Sequence, residues 1–549
     1  MAVKAVVWDG TRVAEATIAN DTGTWGNDGG GGGTSDEPDI VYQGTTAQSR
    51  KVSSTLIGRQ LSGANAVDLT GAFSTYIFKL WCSNYSALNT RTTPGSELKI
   101  GSGSTAHHSY YLFGSDNYPA AGGWQFVAIT PTVTGYAAEV GDTGNPSDTA
   151  ISYYSWLGDY TATSKSENHV IDAIDVGRGL KLYGGNGADP DCLFQDFIDA
   201  DEGTSGNRWG HVRTVGGIMY CNGELAIGEN ASETAVATVF VDTTGQVLVW
   251  ENGLVETGYH KLRVNAGSPN VMAFNCTGAT FISLGQKDND GDRGYTTTED
   301  SRLEVECVGT GAFTAFIGCN FVNLSSFTQT TAFPVQSCDV QCETFVQAAI
   351  VENSIIRTTS VANVATMVDP TFGTTTELNN TEFIQEGAGH AIELGTATSY
   401  NLTNIVFTGY SGTAGSNETP SSGSSAAAIL NSSGGEVTLN VTSAGSVPSI
   451  RNTASSTTIV VAATQISFSG LVAGSNVEIF DDSDNSYIDG VASSGTTYSV
   501  SIDPGVYPTV NIMVMNFAYQ FVRYENVDTT SGDVSFVVQQ VDDRQAENP

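Results

Sequence analysis

Apolar and polar residues alternate in short runs along most of this chain, and clusters of Gly, Pro, Asn and Asp separate the runs. Tyr76-Ile77-Phe78-Lys79-Leu80-Trp81 and Trp124-Gln125-Phe126-Val127-Ala128-Ile129 are two of them. Val170-Ile171-Asp172-Ala173-Ile174-Asp175-Val176-Gly177 and Ala237-Thr238-Val239-Phe240-Val241-Asp242 continue the series. A period of two places successive side chains on opposite faces of a strand, so residues 46–265 are expected to be all-β. Their aromatic residues suit the interior of two packed sheets.

From 266 to 462 the grain changes. Short strands anchored at Phe281, Phe321, Phe345, Ile355, Phe383 and Phe407 recur, each behind a small or polar lead such as Gly318-Cys319-Asn320 or Asn379-Asn380-Thr381-Glu382. The anchors fall 40, 24, 10, 28 and 24 residues apart, without an exact repeat. Coils of variable length that each bury one side and stack like on like are the pattern of a parallel β-helix.

Residues 463–549 alternate cleanly again, in Asn476-Val477-Glu478-Ile479-Phe480, Thr509-Val510-Asn511-Ile512-Met513-Val514 and Tyr519-Gln520-Phe521-Val522-Arg523-Tyr524, with sandwich-like turn spacing. The first 45 residues read as an arm: a short strand pair around Asp9-Gly10, then five glycines, Gly29 to Gly33, expected to be a flexible tether. The glycine run is no phosphate cradle, because no Lys-Ser/Thr follows it.

Three resemblances follow. The Gly-Gly-Trp124-Gln-Phe-Val strand and its neighbours resemble a concanavalin-like jelly-roll sandwich. The coils resemble the right-handed parallel β-helices of phage tailspikes and pectate-lyase-like proteins. The stretch Ala427-Ala428-Ile429-Leu430-Asn431-Ser432-Ser433-Gly434-Gly435-Glu436-Val437-Thr438-Leu439-Asn440-Val441, leading into Val447-Pro448-Ser449-Ile450-Arg451-Asn452, is similar to the closing coils of tailed-bacteriophage structural proteins. In those a β-helix runs into an Ig-like or transthyretin-like sandwich. The expected fold is therefore all-β: arm 1–45, jelly roll 46–265, right-handed β-helix 266–462, Ig-like sandwich and tail 463–549.

Charge narrows the function. Lys plus Arg is 22 against 58 Asp plus Glu, a net charge of −36, which disfavours nucleic acid and anionic lipid alike. From Leu303 onward 4 Arg face 24 acids, whereas all seven Trp lie at or before Trp250, so the two halves differ in kind. No apolar run approaches a membrane span, and the opening residues lack a leader-like apolar core, so synthesis without Sec export is expected. The eight Cys are too sparse for a disulfide scaffold and read as buried free thiols, with those of the coils stacked in the core.

Candidate chemistry is thin. There is no nucleophile elbow, HExxH, P-loop or paired CxxC. The six His read as ordinary surface or turn residues, and His107 and His108, adjacent in a strand, would point to opposite faces. Asp288, Asp290, Asp292 and Glu299 partly match a Ca²⁺ loop, since carboxylates at alternate positions can converge on one hard cation. Gly291 and Arg293 depart from the EF-hand pattern, no helices flank the run, and an acidic surface loop explains it without metal. Asp481-Asp482-Ser483-Asp484-Asn485 reads as a hairpin turn. A glycan-cleaving β-helix would need two carboxylates on one groove; Asp339, Glu343, Glu382, Glu386 and Glu393 are candidates, as they are for a plain solvated face. Tyr110, Tyr111 and Trp156 could stack on sugars, or fill a core.

The phage resemblance implies a virion structural protein, a tail fibre, spike or capsid decoration, assembled in the host cytoplasm and projecting from the particle. It implies contact with other virion proteins, a homotrimer and binding to a host-surface glycan, with no cofactor beyond that Ca²⁺ and no catalysis. Two rival readings are a tailspike glycan hydrolase or lyase and a secreted bacterial adhesin.

Overall fold

A computed structural model describes residues 5–8, 24–29, 34–37, 39–40, 47–51, 56–67, 76–85, 88, 96–112, 123–129, 139–147, 149–160, 168–176, 178–182, 211–228, 238–255, 257–266, 271–287, 300–313, 315–331, 333–372, 377–413, 417–418, 426–441, 445–462, 464–502, 504, 506–529 and 533–541. Among them every regular element is a strand, and they form two compact units, Met1–Cys342 and Glu343–Pro549.

The first unit opens with a sandwich of two six-stranded sheets. Alternation decides which side chains meet between them. Tyr76, Phe78, Leu80 and Cys82 of one strand pack with Leu98, Ile100, Tyr154 and Trp156 of the opposing sheet. The Tyr76 and Tyr154 rings lie 5.8 Å apart. Trp156 and Tyr110 belong to this core, so they offer no sugar platform; of the Tyr111 side chain nothing is described.

The arm is built into the sheets rather than left as a tether. Thr24–Gly29 pairs with Leu56–Val67 on the edge of the first sheet. Thr34–Glu37 pairs with Ala47–Lys51 on the edge of the second. The glycine run thus joins the two sheets, with residues 30–33 outside the described set. The strand Ala5–Trp8 pairs antiparallel with Gly179–Leu182.

Parallel pairing starts at Gly179, well before residue 266, where the sequence pattern changes. One ladder runs Gly179–Leu182, Glu224–Ile227, Lys261–Ala266, Leu303–Gly309. It stacks Leu180, Leu225, Leu262 and Val305 in register. A second runs Ile218–Cys221, Val247–Trp250, Thr280–Ser283, Asn320–Thr328 and stacks Phe281 on Phe321 at 4.9 Å, with the rings nearly parallel. These are the stacked coils of a parallel β-helix, each burying one side as a repeat must. Antiparallel strands cover both starting edges: Ala5–Trp8 on the first ladder and Val212–Val215 on the second. Blunting an edge in this way removes a template for unwanted pairing.

The corners explain the small and polar leads. Gly278, Gly318 and Ser337 in the first unit, and Asn353, Asn380 and Asn404 in the second, have φ between 45° and 67° and stand two residues before a strand. Left-handed backbone favours Gly and Asn, which is why those residues mark the turns. The residue after the turn points inward. Ala279, Cys319 and Cys338 hold that place, and Cys276 joins the thiols from the other side of Gly278: Cys319 Sγ lies 3.6 Å from Cys276 Sγ, and Cys319 N–H donates to Cys338 Sγ at 3.3 Å. The seven described cysteines are all free and buried, as expected of core thiols.

In the second unit Ile356, Phe383 and Phe407 stack in one ladder, and Met367, Ile392, Ile429 and Ile450 in another. A sandwich of a three-stranded and a four-stranded sheet follows, its core made of Ile466, Phe468, Val477, Ile479, Ile502, Val510, Ile512 and Val514. Asp481 and Asp484 accept the Ser483 and Ser486 N–H groups at 2.8 Å, each serving a hairpin turn.

Candidate functional site

The second sheet of the sandwich is buried on both faces, and its outer face meets the first coil. Ile77, Phe126 and Ala128 pack there against Val255 and Tyr259, while Gly253–Leu254 extends the sheet as an added parallel strand. Lys79, alternating with the core residues, therefore points into this junction, 3.8 Å above the Phe126 ring. His211 and His260 are fully buried beside it. Gly223 N–H donates to His260 Nδ1 at 3.0 Å, so the ring proton sits on Nε2. Burial first, then the Lys79 charge, holds each imidazole down to about 3. His169 and His390 are also fully buried and His107 is buried at 6% exposure, so five of the six histidines are buried residues rather than surface ones. Burial in fixed tautomers makes the junction a structural clamp that sets the first coil against the sandwich.

On the outward side of the ladder that this clamp positions, charged residues converge. Register brings Glu224, Lys261, Glu304 and Ser326 into one row, and Ala226, Arg263, Glu306 and Thr328 into the next. Glu304 and Glu306 are two apart on one strand and so share a face. Lys261 Nζ lies 3.4 Å from Glu304 Oε2 and 3.1 Å from Glu306 Oε2, and Arg263 Nε lies 3.6 Å from the latter. Two oxygens held by one ammonium at those distances are no more than about 6.5 Å apart, within reach of the ~5–5.5 Å separation used in retaining glycoside hydrolysis. Burial alone would depress the Lys261 ammonium, but Glu306, Glu304 and Glu224 outweigh it and hold it above its ordinary value. Arg178 pairs with Glu224 at 3.7 Å, which completes three cations against three carboxylates. The second row also continues to Lys181, in register with Ala226 and fully buried.

Corner loops border this face. In one coil the corner runs from Glu251 to His260, and Gly258 stands where an added Cβ would be 3.3 Å from the Glu304 carboxylate. In the next coil it is longer still, rooted where Lys287 and Asp300 form an antiparallel bridge and Arg302 pairs with Asp300 at 2.7 Å. Asp300 N–H donates to Thr257 Oγ1 at 3.1 Å, which ties the two corners together. In the third coil the corner shrinks to Asn323, whose Nδ2 donates to Ser283 O and Gly285 O.

Asp288, Asp290, Asp292 and Glu299, between Lys287 and Asp300 in the sequence, fall outside the described residues. Among the described residues no group of three or more His, Cys, Asp or Glu is placed to hold a metal ion. The other acids expected on the coils do not gather into one site. Glu382 accepts from Thr408 Oγ1 at 2.7 Å, and Glu386 pairs with Arg357 at 3.1 Å. Glu393 accepts from Ser432 Oγ at 2.6 Å on a different sheet. Asp339 and Glu343 lie on the strand Asp339–Val346. Glu304, Glu306, Lys261 and Arg263 escaped the sequence reading, although Lys261-Leu-Arg263 and Glu304-Val-Glu306 carry a signal: charge at alternate positions of two strands.

Sandwich and stacked coils define an all-β protein with a parallel β-helix. No protein-family model matches the chain, and no curated protein matches it. Among solved structures it is similar to the catalytic domain of a GH87 alpha-1,3-glucanase in complex with nigerose, with 11% identity, 82% of this chain and 86% of that one covered and a TM-score of 0.22. It is also similar to the Agl-KA catalytic domain, with 10% identity, 83% and 99% coverage and a TM-score of 0.19. Likenesses this slight carry no argument about activity.

Proposed function

We propose that this protein binds a neutral polysaccharide along the outward face of the Lys261–Glu304–Glu306 ladder, as an attachment protein of a tailed-phage particle. The observation that carries the binding reading is the row of paired carboxylates and cations bordered by corner loops. Paired carboxylates and cations offer acceptors and donors to sugar hydroxyls, and pairing leaves neither sign dominant among the residues that face out. The particle reading, with assembly in the host cytoplasm and a homotrimeric state, rests on the resemblance of the closing coils and terminal sandwich. A polysaccharide panel immobilised and probed with the purified chain tests the binding. Saturable retention that falls about tenfold in Glu304→Gln is expected, and a chain that retains no polysaccharide overturns the reading.

A second reading, cleavage of the same chain, is favoured by one observation, two carboxylates facing one ammonium on a shared strand face. It requires reducing ends to accumulate when a retained polysaccharide is incubated with the protein, and to stop accumulating in both Glu304→Gln and Glu306→Gln. Retention without release leaves the protein a binder.

A further inference from the structure

The loops of the terminal sandwich divide by charge. Thr464–Ser469 pairs antiparallel with Thr497–Ile502 and parallel with Val534–Val537. Asn476–Asp481 pairs antiparallel with Tyr487–Val491 and with Thr509–Asn516, which in turn pairs antiparallel with Tyr519–Asp528. These registers send residues 470–475, 492–496, 516–519 and 538–541 to one end of the domain. Their sequences, Gly-Leu-Val-Ala-Gly-Ser, Ala-Ser-Ser-Gly-Thr, Asn-Phe-Ala-Tyr and Val-Gln-Gln-Val, hold no charged residue. Asp481, Asp482, Asp484, Asp528 and Asp533 all lie at the opposite end.

Hydrogen bonds tie the four uncharged loops together. Leu471 N–H donates to Thr496 O at 3.2 Å, and Gly474 N–H to Ser494 O at 2.8 Å. Gln540 Oε1 accepts from Val472 N–H at 2.8 Å and from Ser475 Oγ at 3.0 Å, and Asn516 Nδ2 donates to Ser475 Oγ at 3.2 Å. Gln520 N–H donates to Val541 O at 3.0 Å. At this end sit the four most exposed large apolar side chains among the described residues: Phe517 at 77%, Val537 at 73%, Phe521 at 65% and Val541 at 62%. Single exposed apolar residues need no explanation, but four gathered on one charge-free end mark an interaction surface. Aromatic enrichment with depletion of charge is the composition of a contact's centre.

Charge selects the occupant. Each copy of this chain carries a net −36, so two copies repel over most approaches. Contact over an end without carboxylates is where that repulsion is least. A lipid headgroup is drawn by Lys and Arg, which these loops lack, and Asp542 and Asp543 follow Val541 in the sequence. We propose that copies of this chain join through the uncharged end of the terminal sandwich, with Phe517 and Phe521 as the anchors. This deepens the homotrimeric part of the proposed function and rests on it. It also gives the division of charge a purpose, since the acidic end keeps the rest of each copy apart.

The full chain is followed by sedimentation velocity over a wide concentration range, beside the double variant Phe517→Asp/Phe521→Asp. The parent should associate, and the double variant should raise the dissociation constant about tenfold or more. Val506→Asp, at a side chain 59% exposed on the acidic end of the same sandwich, should leave it unchanged. At dilutions where the parent is a single chain, both variants should melt with it, which shows that they fold. Should the double variant not fold, Phe517→Asp alone, at the hairpin tip, decides. A parent that stays a single chain at every concentration overturns this inference and the homotrimeric reading together. Association that survives the double variant, or that falls equally in Val506→Asp, overturns this inference alone. So does a parent that floats with phosphatidylcholine vesicles only while Phe517 and Phe521 are intact, since that assigns the end to a lipid surface.

Discussion

Acid should loosen the junction between the sandwich and the first coil, by an amount set by His211 and His260. Both imidazoles titrate near 3 in the folded chain against 6.5 in an unfolded one. The depressed folded values mean that the unfolded chain takes up protons first. Stability is therefore complete above about pH 6.5 and is lost progressively as pH falls from there toward 3. At pH 5 the loss is about 2 kcal/mol per histidine, about 4 kcal/mol for the pair, taking ~1.36 kcal/mol per pH unit. The geometry gives the reason. Protonating His260 at Nδ1 would set a second N–H against the Gly223 N–H that now donates to it, inside a junction that already holds the Lys79 ammonium. Trp250, fully buried with its Nε1–H donating to Gly223 O at 3.0 Å, is a reporter inside the cluster. Urea unfolding followed by tryptophan fluorescence at pH 7.5, 6.0 and 5.0 should show the midpoint falling as pH drops. His260→Gln, whose amide oxygen can accept the Gly223 N–H, should remove about half of that dependence. A midpoint unchanged between pH 7.5 and 5.0, or a dependence that survives His260→Gln in full, would refute the assignment.

Phe321→Ala should cost about 3–5 kcal/mol and lie near the upper end, because the ring stacks on Phe281 and meets Phe316 and Phe327 edge-on, at ~0.5–1.5 kcal/mol per aromatic pair. Phe517→Ala, at a ring 77% exposed, should stay within about 0.5 kcal/mol, and thermal melts compare the two. Cys319 and Cys338 should resist a thiol reagent until the chain unfolds. The Cys276 sulfur and burial raise the Cys319 thiol, and the Cys319 sulfur and burial raise that of Cys338, both above the ordinary range, and reductant should leave the melting temperature unchanged.

Local chemistry carried much of the fold. The alternation in Asn476–Asp481 and Thr509–Asn516 places Val477, Ile479, Val510 and Ile512 in one core, as a period of two requires. The leads Gly318-Cys319-Asn320 and Asn380-Thr381-Glu382 are legible because a left-handed corner admits few residue types, and the structure puts Gly318 and Asn380 at φ 61° and 45°. The site was less legible. Glu304 and Glu306 advertise a shared face, yet nothing local says that Lys261, on another strand, lies between them. That depends on parallel register, which the length of each corner loop sets. The onset of coils at Gly179 was hidden for the same reason, since a strand buried on both sides reads alike in a sandwich and in a coil.

The sequence alone determined that this chain is all-β, that it changes grain along its length, that its corners use small and polar residues, and that the seven cysteines described are core residues. Each of these follows from steric or burial preferences of single residues and their near neighbours. Only the tertiary structure decided what the arm does, since the pairing of Thr24–Gly29 and Thr34–Glu37 depends on which sheet edges lie open. It alone buried Lys79 and five histidines, which a polarity pattern places at the surface, because packing of sheet on coil and coil on coil encloses side chains that alternation alone turns outward. And it alone gathered Lys261, Glu304 and Glu306, because stacking of coils brings together residues that the chain keeps some forty positions apart.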